Sequence, residues 1–175
     1  MRSLEKSARQ NNPLDGFYLQ SDICSLFIKA SGHDISEVTL ITTDAALKKR
    51  CISESCSLSE FSNNELINEL EKYLSGSRVD LDFSCDLSGF TPLEQRILSA
   101  AREIPYGNTA TYEDIAIKVG NKNLSRVVGR TMSKNRCPIV IPCHRVVGKS
   151  GKLVGFSADG GLLLKRALLK LERIN

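Results

Sequence analysis

The chain has 175 residues, 41% of them apolar, with 24 Lys or Arg against 20 Asp or Glu and no tryptophan. That apolar share is too high for a disordered chain, and no run of ~18 apolar residues is present to span a bilayer. No basic stretch leading into an apolar one opens the sequence, so no secretory signal is expected, and the length suits one domain or two small ones in a soluble, intracellular protein.

The first half alternates short apolar runs with polar breaks. Phe17-Tyr18-Leu19, Ile23 to Ile28 and Val38 to Thr42 read as strands. So does the stretch holding Val79, Leu81 and Phe83, where apolar and polar residues alternate as in a half-buried strand. Ser62 stands three residues before Glu65, and Leu66, Ile67, Leu70, Tyr73 and Leu74 follow at helical spacing, which predicts a capping box and an amphipathic helix. This half reads as a small α/β unit with no visible catalytic cluster. Turn composition at Ser75-Gly76-Ser77 and Asp86-Leu87-Ser88-Gly89 places a boundary near residue 88.

The second half reads as mostly helical. Thr91, Pro92 and Glu94 fit the cap, first and third positions of a helix whose inner face is Leu93, Ile97, Ala101 and Ile104. Pro105-Tyr106-Gly107-Asn108 ends it, and Thr111 caps a short helix that buries Ile115, Ala116 and Val119. After Gly120 and Asn121-Lys122-Asn123, a third helix is predicted from about Leu124 to Lys134, and the pair suggests a helix-turn-helix. Leu124, Val128 and Met132 face inward on it; Arg126, Gly129, Arg130 and Ser133 share the opposite face. Gly129 costs about 0.5–1 kcal/mol relative to alanine inside a helix, and close approach of a bulky partner would explain it.

Charge is unevenly divided. Residues 1–85 carry 9 basic and 13 acidic side chains, residues 86–175 carry 15 and 7, and between Ile115 and Ala158 nine Lys or Arg meet no acid. A solvated basic face is one reading; a polyanion partner, nucleic acid first, is the other.

Six cysteines, at 24, 51, 56, 85, 137 and 143, accompany two histidines, His33 and His144. No Cys-x-x-Cys pair announces zinc, and five of the six thiols read as small buried hydrophobes. The sixth is different. In Cys137-Pro138-Ile139-Val140-Ile141-Pro142-Cys143-His144-Arg145 the prolines forbid a regular helix, and the apolar run implies a buried extended segment. It delivers Cys143 beside an imidazole and a guanidinium, the surroundings expected to yield a thiolate. Side chains adjacent along such a segment diverge, so direct contact between Cys143 and His144 is not expected.

Ile141-Pro142-Cys143-His144-Arg145-Val146-Val147 resembles the active-site signature of the O6-alkylguanine-DNA alkyltransferases, or methylated-DNA–protein-cysteine methyltransferases. The resemblance extends to Ile104-Pro105-Tyr106-Gly107, Thr111-Tyr112, Gly120-Asn121, Arg126-Val127-Val128-Gly129 and the stretch from Gly160 to Glu172, and covers about residues 90–175. It implies an α+β protein with a small RNase H-like α/β domain over residues 1–88, then a mostly helical winged helix-turn-helix domain over 89–175. It implies a direct-reversal repair enzyme that moves the alkyl group of O6-alkylguanine in duplex DNA irreversibly onto Cys143, once per molecule, with O4-alkylthymine left open as a substrate.

By the same resemblance His144 is the base, acting through a bridging water, and Glu172 orients it. Tyr112 donates to the purine N3, and Asn135 braces the turn behind the cysteine. Arg126 fills the gap left by the flipped nucleotide, while Asn121, Ser125, Gly129, Arg130 and Tyr112 meet the DNA, in the minor groove. Met132, Pro138, Val146, Ser157 and Ala158 line the alkylguanine pocket, with Ser157 and Ala158 both open as the donor to O6. No cofactor and no metal are implied: relatives with zinc hold it through N-terminal ligands that Cys24 and His33 cannot complete. A cytoplasmic monomer is expected, or a nuclear one in a eukaryote. Arg136 stands where many relatives have proline, and the loop from Phe156 to Asp159 looks slightly long. Two alternatives remain: a non-catalytic lesion binder, whose acceptor cysteine would be replaced, and a redox sensor built on Cys137 and Cys143.

Overall fold

The computed structural model describes residues 15–31, 34–43, 45–46 and 64–173. Strands β1 (Asp15–Gln20), β2 (Ser25–Ser31) and β3 (Asp34–Ile41) form an antiparallel meander, and the two-residue β4 (Ser84–Cys85) joins β3 in parallel. Leu26, Ile28, Ile35, Val38 and Leu40 of β2 and β3 are buried with Leu66, Leu70 and Tyr73 of helix α1 (Asn64–Leu74) in one core. Ser62, read as the cap of α1, lies outside the described residues, as do His33, Cys51 and Cys56.

The stretch holding Val79, Leu81 and Phe83 is not a strand. Its burial does alternate, with Asp80 and Asp82 exposed between half-buried or buried neighbours, but only Ser84 and Cys85 reach a partner edge. Alternation reports which side chains face the core; a ladder also needs an adjacent strand.

Helix α2 (Pro92–Arg102) starts as its sequence dictates: Thr91 accepts the Glu94 N–H, and the Glu94 carboxylate accepts the Thr91 N–H. Such a box is worth about 1 kcal/mol. Gln95 donates to the Leu87 and Phe90 carbonyls and so ties the preceding linker to α2. Thr111 and Asp114 form a second box at α3 (Tyr112–Lys118). A 3-10 turn (Lys122–Leu124) then leads into α4 (Ser125–Ser133), with Val128, Thr131 and Met132 inward and Arg126, Arg130 and Ser133 exposed. Between α3 and the preceding loop, β5 (Ala110–Thr111) pairs in parallel with β6 (Val146–Val147). Helix α5 (Gly161–Leu171) closes the chain and buries Leu164, Lys165, Leu168 and Leu169.

A single hydrophobic cluster runs through both halves, from Leu26 and Tyr73 to Ile97, Val128 and Leu168. No described helix is long and apolar enough to cross a membrane.

Candidate active site

The segment before Cys143 is a compact buried turn rather than an extended run. Ile141 N–H donates to the Cys137 carbonyl at 2.8 Å, and Ile139 sits at φ 74°, a left-handed conformation that a β-branched side chain rarely adopts. The prolines exclude a helix, as expected, but do not choose between an extended chain and a turn. Asn135 makes the choice: its Nδ2 donates to the Ile141 carbonyl at 2.8 Å and its Oδ1 accepts the Cys137 N–H at 3.0 Å, so one side chain clasps both ends.

From this turn Cys143, His144 and Arg145 form one 3-10 turn, whose consecutive side chains point apart. Cys143 is 7% exposed and lies at the edge of two cavities. The smaller, about 240 Å³, is lined by Tyr112, Gly129, Met132, Ser133, Gly155, Phe156 and Ser157. The larger, about 660 Å³, reaches β3 and includes Pro138, Ser157 and Ala158. Val146 lines neither: it is fully buried in β6, where the parallel pairing with β5 turns it into the core.

His144 is 0% exposed, and its Nε2 lies 2.7 Å from Glu172 Oε1. Glu172, 2% exposed at the end of α5, gathers donors from five directions. They are His144 Nε2, the Tyr73 hydroxyl at 2.8 Å, Arg145 Nε at 2.9 Å and Nη2 at 3.0 Å, and the Gly107 N–H at 3.2 Å. Burial alone would raise this carboxyl, but the hydrogen bonds from His144 and Arg145 hold it at about 2. A carboxylate here fixes the tautomer by the network: Nε2 carries the proton given to Glu172, and Nδ1 keeps its lone pair. Nδ1 is buried with no hydrogen-bond partner among the described residues. Burial pushes the imidazole down against the pull of Glu172, so the ring rests neutral.

Two expectations about charge need correcting. Arg145 does not turn toward the thiol; besides Glu172 it donates to the Ile104 carbonyl at 2.7 Å and lies over the Tyr106 ring. And the resting thiol is not lowered: burial pushes Cys143 up, partly opposed by Asn135, by Lys165 and by the N–H groups of Cys143 and His144. The cation that Cys143 feels is Lys165. It is 0% exposed and donates to the Val146 carbonyl at 2.7 Å and more weakly to those of Val154 and Gly155. It stands about 6 Å from the Tyr112 and Phe156 ring centres, and it forms no ion pair with a described residue.

Tyr112 is half-buried; its hydroxyl donates to Val154 O at 3.1 Å, while burial and Cys143 raise it. Gly129 faces the Tyr112 ring, where a Cβ would lie 3.8 Å from Cε1. Asn121 is exposed and caps the 3-10 turn by accepting the Asn123 N–H; Ser125 binds the Lys122 carbonyl. Arg126 and Arg130 are exposed and pair with no described carboxylate. The cavity loop is latched to the first half: Asp159 accepts Thr42 N–H at 2.9 Å and the Thr42 hydroxyl at 2.6 Å. Gly160 must be glycine there, at φ 85° with room for a Cβ only 2.7 Å from Thr42 Cγ2.

Sequence reasoning missed Tyr73, Arg145's partner and Lys165. Each left a signal. Tyr73 holds an inward position with a hydroxyl that buried surroundings oblige to find a partner, and Lys165 interrupts the buried stripe of α5. No group of three or more His, Cys, Asp or Glu fit to hold a metal ion occurs among the described residues.

Residues 92–174 match the family model described as 6-O-methylguanine DNA methyltransferase, DNA binding domain. A methylated-DNA–protein-cysteine methyltransferase of Mycobacterium bovis is 42% identical over 107 residues, 61% of this chain and 63% of that protein. The chain thus matches less than two thirds of that relative's length. A namesake from Methanosarcina acetivorans is 42% identical over 108 residues, 62% of this chain and 67% of its own. The crystal structure of Mycobacterium tuberculosis OGT in complex with DNA superposes with a TM-score of 0.76 at 31% identity, covering 91% of this chain and 93% of that one.

Proposed function

The chain belongs to the O6-methylguanine-DNA methyltransferase family, and from that membership we propose that it repairs duplex DNA by taking the alkyl group of O6-alkylguanine onto Cys143. The observation that carries this reading is a buried sulfur at the edge of a cavity of about 240 Å³, followed in the same 3-10 turn by a neutral imidazole whose Nδ1 is unclaimed among the described residues. That volume holds about eight waters, the scale of one purine.

The duplex hides O6, so the nucleotide must rotate out at a cost of a few kcal/mol. Arg126, exposed on α4, fills the gap, with Arg130, Asn121 and Ser125 beside it at the backbone. The Cys143 proton passes through a bridging water to His144 Nδ1, and Glu172 stabilises the imidazolium from the far side. The sulfur pair forms a bond to the alkyl carbon as the bond from that carbon to O6 breaks. Tyr112 leaves Val154 and supplies a proton at N3, so the purine departs without net charge; the tyrosinate then regains a proton from solvent as the His144 imidazolium releases the one it took from Cys143. Sulfur supplies the electron pair and the purine accepts it, so the transfer balances without a cofactor. The thioether resists water, and each molecule acts once, on guanine with O4-alkylthymine as an open second substrate.

We read residues 1–88 as an RNase H-like unit and 89–175 as a winged helix-turn-helix unit, working as a monomer in the compartment that holds the DNA. Incubation with an O6-methylguanine duplex is expected to add one methyl mass to the Cys143 peptide and to stop after one equivalent. Transfer that persists in Cys143→Ser overturns the proposal.

A further inference from the structure

Two thiols outside the acceptor site meet where β4 touches the segment leading to Cys143. Cys85 stands opposite Ile35 in the parallel β3–β4 register, and the Ile35 carbonyl accepts both the Asp86 N–H at 2.8 Å and the Cys137 thiol at 3.6 Å. One backbone carbonyl therefore draws the Cys137 sulfur onto the Cys85–Asp86 step, close enough for each thiol to shift the other's ionisation, while the Cys85 thiol itself donates to the Phe83 carbonyl at 3.9 Å. Both are free, Cys137 fully buried and Cys85 half-buried. The partner of Cys137 is thus Cys85, not the Cys143 that spacing along the chain suggested.

We propose that Cys85 and Cys137 are a redox-active dithiol which hydrogen peroxide closes to a disulfide before it oxidises the acceptor Cys143. Roles follow from exposure. Cys85 is the sulfur a small oxidant reaches first, and Cys137, packed behind it, resolves the product. The neighbouring Cys137 lowers the Cys85 thiol, against burial and helped by Arg102, with Asp34 opposing. Cys137 is pushed up by Cys85 and by burial, and Cys143 by burial, so neither competes as a thiolate.

The Cys85 thiolate attacks one peroxide oxygen and the O–O bond breaks, giving a sulfenic acid and, with one proton, a water. The Cys137 sulfur then attacks the Cys85 sulfur, its proton leaves with the departing hydroxyl as a second water, and the S–S bond forms. Two thiols lose two electrons and one peroxide gains them. Closure brings the two sulfurs to the ~2.05 Å of a disulfide.

The test is a peroxide titration of the full chain. Catalase ends each reaction, the protein is denatured, free thiols are capped with N-ethylmaleimide, and unreduced peptides are mapped by mass. Capping of Cys85 and Cys137 is expected to fall in parallel, with a linked peptide two hydrogens lighter than the sum of its parts that dithiothreitol separates. Cys143 stays fully capped at those doses, and Cys85→Ser yields no linked Cys137 peptide. Because Cys51 and Cys56 lie outside the described residues, the titration is repeated in a Cys51→Ser/Cys56→Ser variant, where the pair must still close. Oxidation of Cys143 first, or Cys85 accumulating as sulfinic acid with Cys137 still free, overturns the proposal. Alkyl transfer is not read at any step, so the outcome is independent of the proposed repair activity.

Discussion

Glu172 shows how much one buried carboxylate organises. It holds the His144 tautomer, neutralises Arg145 and takes the Tyr73 hydroxyl. In Glu172→Gln the guanidinium of Arg145 stays buried without its counter-charge, which costs about 3–5 kcal/mol, and the base loses its orienting anion. Alkyl transfer is expected to slow by about 10²-fold or more, read as single-turnover rates on an O6-methylguanine duplex. The carboxyl sits at about 2 in the fold, against about 4.3 in an unfolded chain. A depressed acid stabilises above its unfolded value and loses that contribution as pH falls toward its folded one. The melting temperature of the native chain is therefore expected to drop between about pH 4.5 and pH 2, and less steeply in Glu172→Gln.

Lys165 makes a separate prediction at the same scale. It is the buried cation coupled to Cys143, so Lys165→Met removes a charge that favours thiolate. The rising limb of the pH–rate profile is expected to move to higher pH, with the rate at pH 7 reduced. Unchanged limbs in the variant would assign Lys165 to holding the Val154–Gly155 loop alone.

Among the elements, α4 serves two surfaces at once. Its inward residues Val128 and Met132 are core, while Gly129 borders the cavity and Arg126 faces outward. Alanine at 129 fits the fold, since its Cβ meets the Tyr112 ring at ordinary contact distance, and helix propensity favours it by about 0.5–1 kcal/mol. Gly129→Ala is thus expected to melt no lower than the native chain yet to repair duplex DNA more slowly. Arg126→Ala is expected to slow transfer from duplex DNA far more than from free O6-benzylguanine, because only the duplex requires a flipped nucleotide. Equal losses on both substrates remove Arg126 from that role. The turn before Cys143 belongs to this scale too. A β-branched Ile139 at φ 74° costs about 1–2 kcal/mol, sustained by the Asn135 clasp and by full burial.

For the whole molecule, the two halves share a core and a site. Tyr73 of α1 reaches His144 and Glu172, Thr42 latches Asp159, and the hydrophobic cluster crosses residue 88 without a break. A fragment of residues 89–175 would lose Tyr73 and the Thr42 latch on Asp159. It is expected to melt without a sharp cooperative transition by circular dichroism, whereas a sharp one would make the second half self-sufficient. The charge division acts at this scale as well: of the nine cations between Ile115 and Ala158, Arg145 is buried against Glu172 and Lys118 and Lys134 pair with Glu103 and Glu94, which leaves six exposed ones to attract a polyanion over distances set by salt.

The sequence by itself determined what is local. Helix starts at Thr91 and Thr111 follow from hydroxyl and carboxyl groups three residues apart, and the inner faces of α2 and α4 follow from period. The cysteine proposed as acceptor stood out because prolines, an imidazole and a basic helix lie within one short stretch. Tertiary structure decided what depends on groups far apart in the chain. Tyr73, His144 and Arg145 converge on the Glu172 carboxylate from two other elements, and Lys165 rather than the adjacent Arg145 acts on the sulfur. The same holds for Cys137, whose partner is 52 positions back rather than six ahead. Electrostatic and hydrogen-bonded neighbours are fixed by distance in space, and a one-dimensional pattern carries that distance only within a turn or two.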